Sequence, residues 1–243
     1  MALSFDQVSN STVGTNVTSV SWTHAGGTGA DVAIVIGHII DATDADRDIT
    51  SATYGGAACI SQNAQDNAAG NFGIEIFTKV TPATGSQTVV VNGTGGGGSA
   101  DNLLGGAITL ADSVGTPAVG VSGGSTGTST APAVSLTVSA NAWMIGTITD
   151  GVADATSIAV NTGTERYEVD MGTRLASCAT RGPLAAGSQT IDWTTNNAGF
   201  AVTAVEIEEA TGEAAPPIRR YHIFHRAIFI PIIYSLWKFF LQL

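Results

Sequence analysis

The feature that most constrains this chain is a grammar repeated along nearly all of it: a short apolar run, a cluster of Gly, Thr, Ser or Asn, then another run. Residues 73–92, GIEIFTKVTPATGSQTVVVN, state it most fully. Ile74, Ile76 and Thr78 alternate with Glu75, Phe77 and Lys79, and Val89, Val90 and Val91 follow a Pro-Ala-Thr-Gly-Ser break. Period-two alternation of β-branched residues around turn-forming residues predicts a strand, a tight connection and a second strand, read here as a hairpin. With 30 glycines and only 12% charged residues in 243, the chain suits a fold of many turns and short strands. Leu, Lys, Glu and Arg, the good helix formers, are scarce beside Thr, Ser, Val and Gly. The expectation is an all-β, antiparallel two-sheet β-sandwich over residues 1–209, a linker at 210–217, and a separate segment at 218–243.

Taken in order, a first strand is expected at residues 17–22, and DVAIVIGHII at 31–40 predicts a central strand buried on both faces. His38, inside that run, reads as a core histidine. Gly55-Gly56 between residues 49–54 and 57–61 signals a two-residue hairpin. Polar residues 62–71 read as a loop, and the Gly/Ser/Thr-rich stretch 114–130 as holding one short strand. Residues 133–138 and 142–149 are expected to pair, and 188–193 and 199–207 to close the body. No strict repeat is visible, although TGSQTVVV near residue 84 and AGSQTIDW near 186 share a Gly-Ser-Gln-Thr lead into a strand.

The search for chemistry is mostly negative. Asp44, Asp46 and Asp48 in DATDADRD have the every-other-residue spacing of calcium ligands. The match then fails, because an EF-hand loop needs Gly at 49 and Glu at 55, where this chain has Ile49 and Gly55. A solvated acidic loop is the first reading and a Ca²⁺ site the second; no other cofactor is implied. GTGGGGS at 93–99 lacks the Lys-Ser/Thr of a phosphate loop and reads as a flexible connection. Neither a Gly-x-Ser-x-Gly elbow nor an HExxH or CxxC motif occurs. Glu165, Glu168, Asp170, Asp150 and Asp154 read as solvated acids. Trp22, Tyr54, Tyr167 and Trp193 are read as core before they are read as a glycan platform. Cys59 and Cys178 lie among small residues and are expected to be buried free thiols. No catalytic residue is assigned, and a non-enzymatic role is expected.

Several stretches together resemble a concanavalin-like, jelly-roll β-sandwich family found in phage structural proteins and bacterial surface proteins. They are ITSATYGGAACIS, IEIFTKVTPATGSQTVVV, STAPAVSLTVSANAWMIGTI and AAGSQTIDWTTNNAGFAVTAVEI, spanning roughly residues 20–208. The likeness lies in a strand–Tyr-Gly-Gly–strand element, a Thr-Gly-x-x-Thr-Val-Val strand and a closing Trp strand. It implies a sandwich fold and carries over no catalytic residue.

Charge separates the body from the C-terminal segment. All 20 acidic residues lie at or before Glu213, against five basic residues before Ile218 (Arg47, Lys79, Arg166, Arg174 and Arg181), a net of −15. Such a body repels nucleic acid, which is not expected as a partner. The segment 218–243 has Arg219, Arg220, Arg226 and Lys238 and no acid, +4. Its apolar residues are Tyr221, Phe224, Ile228, Phe229, Ile230, Ile232, Ile233, Tyr234, Leu236, Trp237, Phe239 and Phe240. The uncharged run from 227 to 237 is shorter than the roughly 20 residues of a spanning helix and contains Pro231. A segment this apolar calls for cover. Three readings stand open: burial against other proteins or copies of the chain, docking on a membrane with the arginines at anionic headgroups, or packing on the body itself.

The first residues, MALSFDQVSNSTVG, have no basic stretch followed by an apolar one, and so do not read as a secretory signal. The resemblance implies a virion structural protein (a capsid decoration, spike or tail-associated subunit) assembling as an oligomer through 218–243. The alternative is a carbohydrate-binding or adhesive module at a cell surface, anchored to a membrane by the same segment.

Overall fold

The computed structural model of the protein describes residues 2–40, 48–67, 71–94, 102–113, 115–150, 157–172, 174–196 and 199–210. Residues up to Thr211 form one compact unit, and 211–243 lie outside the described residues. Eighteen strands and no helix occur among the described residues. The first half of the body carries β1 (Ser4–Asn10), β2 (Gly14–Thr15), β3 (Ser19–Ala25), β4 (Ala30–Ile40), β5 (Ile49–Tyr54), β6 (Ala57–Ala58), β7 (Ile60–Asn67), β8 (Phe72–Val80), β9 (Ser86–Gly93) and β10 (Asn102–Ala111). The second half carries β11 (Ala118–Thr128), β12 (Ala133–Val138), β13 (Trp143–Asp150), β14 (Ile158–Val160), β15 (Thr164–Asp170), β16 (Leu175–Arg181), β17 (Gly187–Thr195) and β18 (Gly199–Glu208).

All-β and antiparallel are as expected, but the expected two sheets are four. In the first half the larger sheet runs β1-β10-β4-β8-β7, with β2 also on β10, and the smaller runs β3-β9-β5-β6. In the second half the larger sheet runs β11-β18-β13-β16-β15 and the smaller β12-β17-β14. Replacing β1, β3, β4, β5, β7, β8, β9 and β10 by β11 to β18 in order turns the first pair of sheets into the second. The chain is one topology used twice. The Gly-Ser-Gln-Thr leads open β9 and β17, the matching central strands of the two smaller sheets.

The layers follow from where alternate side chains go. On β4, Ala33, Val35 and Ile39 face the smaller sheet of their own half, meeting Val89 and Val91 of β9. Val32, Ile34 and Ile36, on the opposite face, pack with Trp143, Ile145, Val205 and Ile207 of the second half. On β13, Met144 and Ile148 turn the other way, toward Ile191 and Trp193. The two larger sheets therefore stack face to face, each with its smaller sheet outside: four layers and three hydrophobic seams. Strands in the middle layers are buried on both faces, which is why β4, β10, β13 and β18 read as continuous apolar runs. An outer strand such as β12 alternates strictly between exposed and buried.

The two halves meet reciprocally. β7 of the first half lies beside β11, the first strand of the second, and β15 of the second lies beside β1, the first strand of the first. That is the pattern of an isologous two-fold contact, here between halves of one chain.

Two expectations about pairing are corrected. β8 and β9 are not a hairpin, because β8 pairs with β4 and β7 while β9 pairs with β3 and β5. The same holds for β12 and β13, which also lie in different sheets. Apolar residues on both sides of the connection favour crossing to the facing sheet, which buries both strands across a seam. Residues 62–67, expected as loop, continue β7, an edge strand whose polar side chains bond outward and to β8. The stretch expected to hold one short strand is the eleven-residue β11. The Gly55-Gly56 turn is as read: both residues have positive φ, 58° and 77°, as a two-residue hairpin of that type requires.

Candidate functional site

Polar clusters interrupt this apolar stack among the described residues, and three of them bear on function. The first links β1, β3 and β10. Trp22 Nε1 donates to Ser9 Oγ at 2.9 Å, and Ser9 Oγ lies 2.8 Å from His24 Nδ1. His24 Nε2 lies 3.2 Å from Thr109 Oγ1, which donates to Asp6 Oδ2 at 2.8 Å. The Gly27 amide donates to the same carboxylate oxygen at 2.7 Å. An indole only donates and a carboxylate only accepts, so the chain has one direction. Ser9 gives its proton to Nδ1, and the neutral imidazole carries its own on Nε2. Burial of His24 lowers its pKa, with Asp6 opposing. Tyr54 stands edge-on to that ring at 5.8 Å, and its pKa is pushed up to about 12 by burial first and by Asp6 and Cys59 after it. Ser9 and His24 have the contact of a nucleophile and its base. Here, however, the indole N–H occupies the hydroxyl oxygen and the ring is fully buried. The arrangement clamps β1 onto β3.

The second cluster lies where the halves meet. His38, fully buried on β4, has Nδ1 2.8 Å from Thr149 Oγ1 and Nε2 3.1 Å from the Tyr167 hydroxyl and 3.3 Å from Thr147 Oγ1. Thr147 gives its hydroxyl proton to the Ser177 carbonyl at 2.9 Å, so toward His38 its oxygen accepts. The ring is thus hydrogen-bonded through both nitrogens, Nδ1 to Thr149 and Nε2 to the hydroxyls of the second half. Desolvation lowers the pKa of His38 to about 3, so it is neutral near pH 7. His38 is a core residue, as expected, with the added task of joining two sheets.

The third cluster borders an open cleft of about 300 Å³ lined by Trp143, Gly163, Thr164, Arg166, Thr180, Arg181 and Gly182. Arg166 is the extra residue of a bulge between Glu165 and Tyr167 on β15. Its Nε donates to Thr180 Oγ1 at 2.7 Å, and its guanidinium carbon sits 3.5 Å from the Phe5 ring centroid. Arg181 Nη1 donates to the Thr190 carbonyl at 2.8 Å. Each guanidinium has five N–H groups, of which one is hydrogen-bonded among the described residues. No sequence motif marks these arginines, because a bulge leaves no pattern of its own; their scarcity in an acidic body was the available signal.

The residues singled out from sequence are not brought together. Asp44 and Asp46 lie outside the described residues. The backbone of Asp48 exchanges hydrogen bonds with Thr94, its carbonyl accepting from the Thr94 amide at 2.8 Å, which ties the start of β5 to the end of β9. Among the described residues, no group of three His, Cys, Asp or Glu is placed to hold a metal ion. Glu165, Glu168 and Asp170 are exposed on β15, whereas Asp150, read as solvated, is fully buried and its charge opposes the burial-driven lowering of the Arg174 pKa. Tyr54, Tyr167 and Trp193 are core residues, and Trp22 is half-buried with its ring over Gly105. Cys59 and Cys178 are free thiols in different halves, Cys178 fully buried and Cys59 half-buried. The residues from Arg219 to Phe240 that were expected to anchor the chain lie outside the described residues.

Comparison with known proteins gives no match: no family model fits the chain, and neither a curated protein nor a solved structure is similar to it.

Proposed function

We propose that this chain is a non-enzymatic structural subunit of a virus particle, its body a jelly-roll-like sandwich used twice and its segment 218–243 the means of attachment. The observation that carries the reading is the contrast between two parts of one sequence. The body is acidic and spends the hydrogen bonds of its two strand histidines on holding sheets together. The segment after it is basic, aromatic and aliphatic, and needs cover from another surface. A rigid body with a greasy attachment segment suits a capsid decoration, spike or tail-associated subunit that binds neighbouring particle proteins or copies of itself. The motif resemblance to phage structural proteins supports the same reading. The test is peptide mass fingerprinting of gradient-purified particles from a producing culture. Stoichiometric recovery of this chain with particles is expected; its recovery wholly in the soluble or membrane fraction overturns the reading.

A second reading, a glycan-binding module held at a cell surface by the same segment, is favoured by one observation, the cleft beside Arg166 and Arg181.

A further inference from the structure

The doubling of the fold supplies an internal control for that cleft. In the first half, the pairing of β7 with β8 skips Gln62: Ser61 pairs with Phe77 and Asn63 with Ile76. In the second, the pairing of β15 with β16 skips Arg166: Glu165 pairs with Ala179 and Tyr167 with Cys178. The partners correspond as well, since Ile60 pairs with Thr78 and Thr164 with Thr180. Gln62 Nε2 donates to Thr78 Oγ1 at 2.8 Å, the bond that Arg166 Nε makes to Thr180 Oγ1 at 2.7 Å. A neutral amide therefore satisfies the fold at this bulge. The guanidinium in the second half makes the same bond and adds a positive charge, which lies over the Phe5 ring and lines the cleft.

We infer that the cleft lined by Arg166, Arg181, Thr164 and Thr180 is a binding site for an acidic sugar, its carboxylate held by the two guanidinium groups and a ring hydroxyl by the exposed Thr164. Both arginines are fixed in advance, Arg166 by Thr180 and the Phe5 ring and Arg181 by the Thr190 carbonyl. Two of the five basic residues in a body of net charge −15 line this one cleft. That net charge opposes a polyanion, while two local guanidinium groups favour a ligand bearing a single carboxylate. At about 300 Å³ the cleft holds a unit of one sugar ring rather than a folded partner.

The experiment is calorimetric titration of the full chain with D-glucuronate, with glucose as the neutral analogue and inorganic phosphate as a non-sugar anion. Saturable glucuronate binding, with glucose and phosphate each about tenfold weaker or worse, is the expected result. Arg166→Gln installs the residue of the first half and keeps a donor for Thr180; it is expected to weaken glucuronate at least about tenfold while the protein stays folded, with only the small loss of melting temperature that follows from losing the Phe5 contact. Arg181→Gln, which leaves the Phe5 contact alone, carries the same expectation for binding. The inference is overturned if glucuronate does not bind, if glucose or phosphate equals it, or if both variants bind it as the parent does.

Discussion

His38 on β4 and Tyr167 on β15 belong to different halves of the chain, yet His38 Nε2 and the Tyr167 hydroxyl lie 3.1 Å apart in the seam between them. Around this contact, two larger sheets that would each expose an apolar face close on one another. The ring is held neutral by burial, so protonating it means either opening the seam or placing a charge where no water reaches.

Stability should therefore fall as pH drops. His38 has its pKa lowered to about 3 in the fold, against 6.5 when exposed. Between these values the unfolded chain binds the proton and the folded chain does not, so the stabilisation present above pH 6.5 is lost progressively toward pH 3. Urea unfolding at successive pH values should give a slope steeper than that of His38→Asn by up to about 1.4 kcal/mol per pH unit. Equal slopes would mean that His38 is not buried and neutral.

Glycine is needed where a large ring of the facing sheet lies against the backbone. A Cβ at Gly105 would meet the Trp22 ring, and one at Gly146 would meet Trp193 Cη2 at 3.0 Å, while one at Gly29 would meet nothing within 4 Å. Gly105→Ala should cost about 1–3 kcal/mol through overpacking, Gly146→Ala less, and Gly29→Ala within about 0.5 kcal/mol of zero. Denaturant midpoints of the three variants check the order.

How much of this was legible in the sequence depends on which interaction decides each feature. Strand positions are local, and alternation at Ile74, Ile76 and Thr78 or the apolar run through Ile34 and Ile36 marks them. Partner choice is not local. Val89 and Phe77 carry the same β-branched or aromatic signal whether their strands pair with each other or face one another across a seam, and burial of both faces decided for the seam. The doubling was visible only as Gly-Ser-Gln-Thr at residues 85–88 and 187–190, because the repeat lies in pairing order and bulge position, which many sequences satisfy. Arg166 shows the limit for the site. Its counterpart is Gln62, and nothing in either local sequence says that both are the skipped residue of a bulge.

Thiol chemistry tests the seam and the outer layer separately. Cys178 is fully buried in the seam, which raises its pKa strongly, and the half-buried Cys59 is pushed up to about 11, also by burial. With a disulfide-exchange reagent at pH 8, the native protein should react slowly at Cys59 and not at Cys178, and both thiols should react at once in denaturant. Rapid native reaction of Cys178 would mean that the larger sheets part readily.

The second half should not stand alone as a monomer. Residues 115–210 without the first half would expose Trp143, Ile145, Tyr167, Cys178, Val205 and Ile207 on one sheet face. A contiguous patch of this kind is covered by association, and the reciprocal geometry of the seam supplies a route to a two-fold pair. Light scattering on this fragment should report a dimer or larger species. A stable, folded monomer would contradict the four-layer stack.

The attachment role proposed for 218–243 is tested most directly by sedimentation of the full chain beside a version ending at residue 210. The shorter protein should sediment as a folded monomer with a β-type circular-dichroism spectrum, and the full chain as a discrete oligomer held by its aromatic and aliphatic end. A full chain that remains monomeric, without detergent, at concentrations where the shorter protein is also monomeric would contradict it.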